Sequence, residues 1–187
     1  MTLPETVTLK DGRRAIVRAA TPDDAEGWIA NINAIGAERV YILTETFTRT
    51  LEEIREQFRS ANPDEVLWLA AEIGGNLVGG ADFHRGRRPK CAHTANLGIA
   101  LVREARGVGL GEAMMTAGID WARRSGITKL KLGVFATNDR AIALYRKLGF
   151  VEEGRLRGEA VIAGTPVDDL LMALFLEASP RDASAHR

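Results

Sequence analysis

Cysteine is almost absent from the sequence, because its 187 residues include a single one, Cys91. One cysteine excludes an internal disulfide framework and leaves no cysteine cluster for zinc, which fits a reducing compartment. An excess of positive or negative charge is also missing, since 25 basic residues balance 25 acidic ones. No overall field therefore favours a nucleic acid or an anionic membrane as a partner.

Long apolar runs are missing as well. No run approaches the length that a bilayer-spanning helix needs. The N-terminal stretch MTLPETVTLKDGRR has no basic region followed by an apolar segment, so no signal peptide is indicated. We therefore expect a cytoplasmic protein in which residues 1–177 form one domain and residues 178–187 form a polar tail.

The sequence does contain an alternation of strand and helix patterns. The order is a bent strand or small hairpin, two helices, three strands, a helix, a strand, a helix and two strands. Strands joined through a helix should be parallel, and strands joined in a hairpin should be antiparallel. The pattern predicts an α/β fold (α+β in some schemes) with a mixed, mostly antiparallel sheet of about seven strands and about four helices.

Capping signals indicate where helices begin and end. Thr50 and Glu53 have the spacing of a capping box at a helix N-terminus. Asn138 is expected to cap a later helix, which Gly149 should end. The stretch VYILTETFTRT, residues 40–50, is interpreted as a loop.

Three glycines at every second position stand between a strand and a helix in VREARGVGLGEAMM, residues 102–115. Glycine is a poor helix former, but its missing side chain lets backbone N–H groups approach a phosphate at a helix N-terminus. The spacing fails the P-loop pattern, which needs a lysine and a hydroxyl residue, and it fails the dinucleotide fingerprint. Alone, the stretch fits either an anion-binding loop or a turn without a ligand.

A second motif stands about thirty residues further on and makes the first one specific. RGVGLG, residues 106–111, resembles the R/Q-x-x-G-x-G/A pyrophosphate loop of the GCN5-related N-acetyltransferases, the GNAT family. NDRAIALYRKLGF, residues 138–150, resembles their motif N-x-x-A-x-x-L-Y-x-K-x-G-F. The resemblance covers nearly the whole chain and is strongest over residues 95–150.

The resemblance implies a GNAT fold whose sheet splays between its fourth and fifth strands, with acetyl-CoA in the gap and no metal. The strand that leads into the glycine loop would pair with the pantetheine arm of acetyl-CoA, and the glycine loop would wrap its pyrophosphate. The cofactor-binding residues implied are Ile99, Ala100, Leu101, Arg106, Gly107, Val108, Gly109, Leu110, Gly111, Glu112 and Asn138.

Tyr145 lies seven residues beyond Asn138, two turns along the same helix face. It matches the family's tyrosine that protonates the departing sulfur of coenzyme A, the role of a general acid. The alternative is a tyrosine that packs in the core. The reaction implied is direct attack of a neutral amine on the thioester in a ternary complex, with a backbone donor for the oxyanion.

The resemblance leaves the general base open. Many relatives carry a carboxylate on the fifth strand, where this chain has Gly133, and others carry one where it has Asn96. His93 is the first candidate, because an unperturbed histidine titrates in a suitable range. The alternatives are Asp82, His84 and Glu72, acting through ordered water, or deprotonation without a dedicated residue.

The acceptor is expected to be a small amine or amino acid. The resemblance implies that residues 31–58 and 155–167 select it. Tyr41 and Phe47 are candidates to line a pocket, or else they are core aromatics.

Acidic residues in the same region, Glu38 and Glu45, are candidates to attract an amine, or else they are solvated acids. Two other functions stay open: acetylation of protein N-termini, and non-catalytic binding of acyl-CoA by a sensor of the same fold. The apolar stretch VDDLLMALFLE fits either a homodimer contact or a buried central strand.

Overall fold

The computed structural model describes residues 3–177, and the predicted polar tail of residues 178–187 lies outside them. The strands are β1 (Glu5–Thr8), β2 (Arg14–Ala19), β3 (Val66–Ile73), β4 (Asn76–Arg85), β5 (Thr94–Leu101), β6 (Lys129–Phe135), β7 (Val151–Ile162) and β8 (Thr165–Phe175). The α-helices of this part of the chain are α1 (Ala25–Gly36), α2 (Leu51–Arg59), α3 (Leu110–Arg124) and α4 (Asp139–Lys147). None of these helices is both long and apolar enough to cross a membrane.

The strands lie in the order β1-β2-β3-β4-β5-β6-β8-β7. The pair β5–β6 is parallel, whereas β1–β2, β2–β3, β6–β8 and β7–β8 are antiparallel. This order confirms the α/β class with a mixed, mostly antiparallel sheet. The sheet has eight strands rather than the predicted seven, because the N-terminal segment folds as a hairpin in which Glu5 pairs with Val17 and Thr8 with Arg14.

The chain forms two compact units. The first unit comprises the residues up to Asp82 together with Gly98–Ala117. The second unit comprises Phe83–Leu97 and the residues from Gly118 onward. The boundaries fall inside β4, β5 and α3, so each of these elements contributes residues to both units.

Helix ends follow the local capping signals. The hydroxyl of Thr50 accepts a hydrogen bond from the Glu53 N–H, and the Glu53 carboxylate accepts one from the Thr50 N–H, which confirms the capping box. The Asn138 side chain caps α4, and Gly149 follows it with a φ of +92°, as a helix-ending glycine does. Residues 40–50 form neither helix nor strand, as predicted.

The first unit packs its helices around an aromatic cluster. Trp28 of α1, Phe58 of α2 and Trp68 of β3 meet edge to face, with ring centroids 5.3, 5.6 and 5.5 Å apart. Gly80 of β4 lies directly against the cluster, because a Cβ atom there would stand 2.1 Å from the Trp28 ring. The close fit of α1 on β4 therefore depends on this glycine.

The second unit has a sheet with two unlike faces. On one face of β6 and β8, Leu130 and Met172 are buried. On the other face, Gly133 is exposed, and so are Leu171 and Phe175. The outer face is therefore accessible within this unit.

The contact between Gly80 and Trp28 predicts that Gly80→Ala destabilises the first unit. The new methyl group would overlap the indole ring, and overpacking of a core costs about 1–3 kcal/mol. Chemical denaturation measures the free energy of unfolding. In a Trp28→Phe background the smaller ring leaves room, so the same substitution should cost less; equal costs in both backgrounds would contradict this account.

Candidate functional site

The glycine-rich segment joins β5 to α3, and it lies wholly in the first unit. Gly107 and Gly109 have φ values of +77° and +97°, a region that residues with side chains rarely adopt. Between them, the carbonyl of Val108 accepts a hydrogen bond of 2.9 Å from the Lys10 N–H in the β1–β2 turn. The segment is thus a fixed turn that leads directly into the N-terminus of α3.

The first turn of α3 exposes backbone donors at that point. The helix begins at Leu110, and the first N–H that bonds back along the chain is that of Ala113, which reaches the Gly109 carbonyl at 3.2 Å. The N–H groups of residues 110–112 precede it and have no intrahelical acceptor. With the positive end of the helix dipole, they form the arrangement that binds phosphate groups.

Arg106 fixes the start of the segment through its guanidinium group. Its Nε donates to the Leu101 carbonyl at 2.7 Å, and its terminal nitrogens donate to the Glu38 carboxylate at 2.9 and 2.5 Å. Its Cζ lies 4.5 Å from the centroid of the Tyr41 ring, within cation–π range. Arg106 therefore connects the end of β5 to the loop that follows α1.

Glu38 is consequently an ion-pair partner and not a free carboxylate for an amine. The hydrogen bonds from Arg106 hold the pKa of Glu38 below its ordinary value of 4.5, and the charge of Arg103 acts in the same direction. Glu45 is exposed and stands 3.6 Å from Arg39. Of the two acids that the sequence suggested for an acceptor, Glu45 is the more accessible.

The two aromatic residues suggested for an acceptor pocket differ in their surroundings. Phe47 packs against the core cluster of the first unit, and its N–H donates to the Asn33 side chain at 2.8 Å. Phe47 is therefore a core aromatic, the alternative that the sequence left open. Tyr41 is 38% exposed and is covered on one face by Arg106.

The predicted pantetheine strand, Ile99–Leu101, is half-buried at the end of β5. Gly79 of β4 lets the two strands approach closely, because a Cβ atom there would stand 2.4 Å from the Ala100 carbonyl oxygen. The parallel register with β6 covers Thr94–Asn96, so residues 99–101 lie beyond it along β5. The Leu101 carbonyl is bonded by Arg106 and is already satisfied.

The second motif lies on α4, in the second unit. The Oδ1 atom of Asn138 accepts a hydrogen bond of 3.2 Å from the Ala141 N–H, so this side chain is fixed as the helix cap. The Tyr145 ring is buried against Phe150, with centroids 5.8 Å apart. Burial raises the pKa of the Tyr145 hydroxyl to about 12.

The Tyr145 hydroxyl itself has no hydrogen-bond partner within residues 3–177. Among the described residues, one side-chain polar atom is both sealed from solvent and without a partner, and it is Glu5 Oε2. The Tyr145 oxygen is therefore not completely sealed from solvent. Buried tyrosine hydroxyls usually find a partner. The Tyr145 hydroxyl is therefore available to a ligand.

The candidate bases are in different situations. His93 is exposed and immediately precedes β5, where its carbonyl accepts a hydrogen bond of 2.9 Å from the Thr128 N–H. Glu72 is ion-paired with Arg18. Asp82 lies against Gly98, and His84 is half-buried on β4.

A carboxylate that the sequence did not suggest lies beside Gly133. Asp169 of β8 places its Oδ2 atom 2.5 Å from the position that a Gly133 Cβ atom would take. The adjacent aspartates of VDDLL must point to opposite faces of a strand, which is the signal available in the sequence. The register of β8 on β6 decides which of them faces Gly133.

The chain is similar to known acetyltransferases. A family model described as the Acetyltransferase (GNAT) family matches residues 34–150. The L-amino acid N-acetyltransferase AaaT of Escherichia coli K12 is 32% identical over 121 residues, which cover 63% of this chain and 73% of that protein. The solved ribosomal-protein-alanine N-acetyltransferase of Brucella melitensis is 30% identical, with a TM-score of 0.76, and covers 86% of this chain and 99% of its own.

A further likeness concerns the fold alone. A phosphinothricin acetyltransferase from Sinorhizobium meliloti, solved in complex with acetyl-CoA, is 21% identical to this chain. The two superpose with a TM-score of 0.78 over 89% of this chain and 94% of that one.

The ion pair between Arg106 and Glu38 predicts a pH-dependent contribution to stability. Because folding lowers the pKa of Glu38, the pair stabilises the protein above pH 4.5 and is lost as the pH falls through the lowered value. Glu38→Gln should therefore lower the melting temperature at neutral pH, and the difference from the wild type should shrink in acid. Glu45→Gln, in the same loop, is the control and should show little difference at either pH.

Proposed function

Because the chain belongs to the GNAT family of acetyltransferases, we propose that it transfers the acetyl group of acetyl-CoA to a small amine or amino acid in a ternary complex. The observation that carries the proposal is the Tyr145 hydroxyl, which is buried, protonated at neutral pH and without a hydrogen-bond partner among residues 3–177. The similarity to an L-amino acid N-acetyltransferase supports an amino acid as the acceptor. In this proposal the protein acts in the cytoplasm on a small molecule, without a nucleic acid, membrane or metal partner.

The donor end of the proposed site is the turn at the start of α3. The N–H groups of residues 110–112 bind the pyrophosphate of acetyl-CoA, and Gly107 and Gly109 give the backbone the conformation that this requires. Arg106 stands at the edge of this loop and keeps the turn in place through Leu101 and Glu38. The backbone of Ile99–Leu101 receives the pantetheine arm, and Asn138 fixes the start of α4, the helix that carries Tyr145.

Tyr145 acts as the general acid in this proposal. Acetyl-CoA supplies the activated acetyl group, and the thiolate of coenzyme A is the leaving group. The phenol donates a hydrogen bond or its proton to that sulfur, because a pKa of about 12 keeps it protonated over the working pH range. His93 stays a candidate base at the start of β5.

A second acceptor class is favoured by one similarity. The solved relative from Brucella melitensis acts on a ribosomal protein alanine, and it is 30% identical to this chain. Protein N-termini are therefore the alternative acceptors, and a non-catalytic sensor of acyl-CoA is the alternative to an enzyme.

An acceptor panel tests these possibilities through the release of free coenzyme A thiol. Free amino acids, their decarboxylated amines, polyamines and peptides with free N-termini should be offered at equal concentration. We expect thiol release that depends on an acceptor, with amino acids or amines preferred to peptides. A preference for peptides would indicate the alternative acceptor, and tight binding of acetyl-CoA without turnover would indicate a sensor.

For Tyr145→Phe we expect kcat to fall about 100-fold, because a positioned acid contributes about 10²–10⁴-fold. The ring and its packing on Phe150 are kept, so the melting temperature and the affinity for acetyl-CoA should not fall. Calorimetric titration and thiol-release kinetics measure the two quantities separately. Unchanged kcat would show that Tyr145 is a packing residue.

For Gly109→Ala we expect weaker binding of acetyl-CoA, by about tenfold, because alanine resists the φ of +97° that aims the first N–H groups of α3. Space is not the obstacle, since the nearest atom to a Cβ there would be Lys10 Cγ at 3.9 Å. Gly74→Ala is the matched control: it has a φ of +59°, open space and a place in the β3–β4 turn. It should cost stability without changing the affinity measured by calorimetry.

A further inference from the structure

Asp169 occupies the space that Gly133 leaves open. Its Oδ2 atom stands 2.5 Å from the position that a Cβ atom on Gly133 would take. Two non-bonded atoms do not approach each other that closely. The φ of Gly133 lies outside the left-handed region, so its backbone would accept another residue. A side chain at residue 133 would therefore have to displace the Asp169 carboxylate from its present position, whereas the backbone itself would accept one.

The strand register places this carboxylate on one particular face of the second unit. In the β6–β8 pair, Gly133 is opposite Leu171, and Phe135 is opposite Asp169, so Gly133 and Asp169 share a face. In the parallel pair β5–β6, Asn96 is opposite Lys131, which lies two residues before Gly133 on that same face. Asn96 and Gly133 thus face the same side as Asp169.

Asp169 is also free to interact with a ligand. It is half-buried, and within residues 3–177 its carboxylate has no hydrogen bond or ion pair. The neighbouring Asp168 is also half-buried, but it points to the other face, where it accepts hydrogen bonds from the Gly158 N–H at 2.9 Å and from Arg155 at 3.3 Å.

The charges around Asp169 favour an incoming cation. Burial, and then the negative charge of Glu159 on β7, raise the pKa of the Asp169 carboxyl above its ordinary value. An irregularity in the β7–β8 register between Leu156 and Ala160 includes Glu159. Of the positive groups on the flanking strands, Arg155 is paired with Asp168 and Lys129 with Glu153. Lys131 of β6 and Arg157 of β7 make no ion pair with Asp169.

We propose that Asp169 binds the ammonium group of the acceptor and accepts its proton, and that Gly133 is glycine so that this carboxylate can reach the acceptor. The inference rests on the proposed function, because it needs an amine acceptor. The ammonium transfers one proton to the Asp169 carboxylate and becomes the neutral amine. The N–C bond to the acetyl group then forms, and the C–S bond breaks as the sulfur takes the Tyr145 proton. The new amide nitrogen passes its second proton through solvent to the Tyr145 phenolate, and the protonated Asp169 releases its proton to solvent.

The same arrangement reduces stability at neutral pH. An aspartate whose pKa is raised by folding binds more protons in the folded state, so stability falls as the pH rises above its ordinary value of 3.8. Removing the charge should therefore raise the melting temperature or leave it unchanged. A residue that served only the fold would show the opposite effect.

Asp169→Asn tests the proposal directly, since asparagine has the same shape but cannot accept the proton. We expect kcat/KM for the acceptor to fall about 100-fold, with a loss of the acid limb of its pH profile. The affinity for acetyl-CoA and the melting temperature should not fall. Asp168→Asn, one residue away on the opposite face, is the control for kcat/KM.

Relocating the carboxylate provides a second test. Asp169→Ala removes the obstacle to a side chain at residue 133, so Gly133→Glu in that background should recover at least about tenfold of the lost kcat/KM. In the wild-type background Gly133→Glu would collide with Asp169 and should reduce kcat/KM. If Asp169 had a purely structural role, a glutamate at residue 133 on the neighbouring strand β6 would not restore kcat/KM.

The outcomes separate this inference from the proposed function. If the wild type shows no acceptor-dependent thiol release with any amine or peptide, both fail. If the wild type turns over and Asp169→Asn keeps its kcat/KM and pH profile, the function stands and the inference is overturned. Loss of activity in His93→Gln with wild-type activity in Asp169→Asn would also overturn it and would assign the base to His93.

Discussion

The planar fork of Arg106 is the interaction on which the candidate site of the first unit depends. One guanidinium group binds the last carbonyl of β5, the carboxylate of Glu38 and the ring of Tyr41. Lysine could not replace it, because a single ammonium group cannot present the same parallel donors while stacking on a ring. The largely buried pair is also vulnerable, since removing one partner leaves the other charge uncompensated.

Local interactions explain what the sequence predicted well. Asn138 caps a helix three residues away, and the glycine turn is fixed by its own φ values, so both follow from neighbouring residues. The partner of Arg106 is Glu38, 68 residues distant, and no local pattern connects them. The pairing of Asp169 with Gly133 depends on the register of β8 on β6, and shifting the register by one residue would place Asp168 there instead. The locally determined features were therefore predictable from the sequence, and the contacts between distant residues were not.

Tyr145 and Asp169 form no side-chain hydrogen bond or ion pair within residues 3–177, and burial raises the pKa of both. For Tyr145 the shift keeps a proton donor protonated, and for Asp169 it makes the carboxylate a better proton acceptor near neutral pH. A structure selected for stability alone would pair such groups or replace them. Perturbed pKa values of this kind cluster at functional sites, which is why both groups enter the proposed mechanism.

The hydrogen bond from the Lys10 amide to the Val108 carbonyl has a consequence beyond the turn that it fixes. It ties the hairpin of β1 and β2 to the loop between Gly107 and Gly109, so opening that loop must also release an amide near the beginning of the chain. The exchange rate of a single backbone hydrogen, remote in sequence from every proposed catalytic group, thus records whether the loop is held shut. Hydrogen exchange at the Lys10 N–H would therefore report on the proposed acetyl-CoA loop from a different element of the chain.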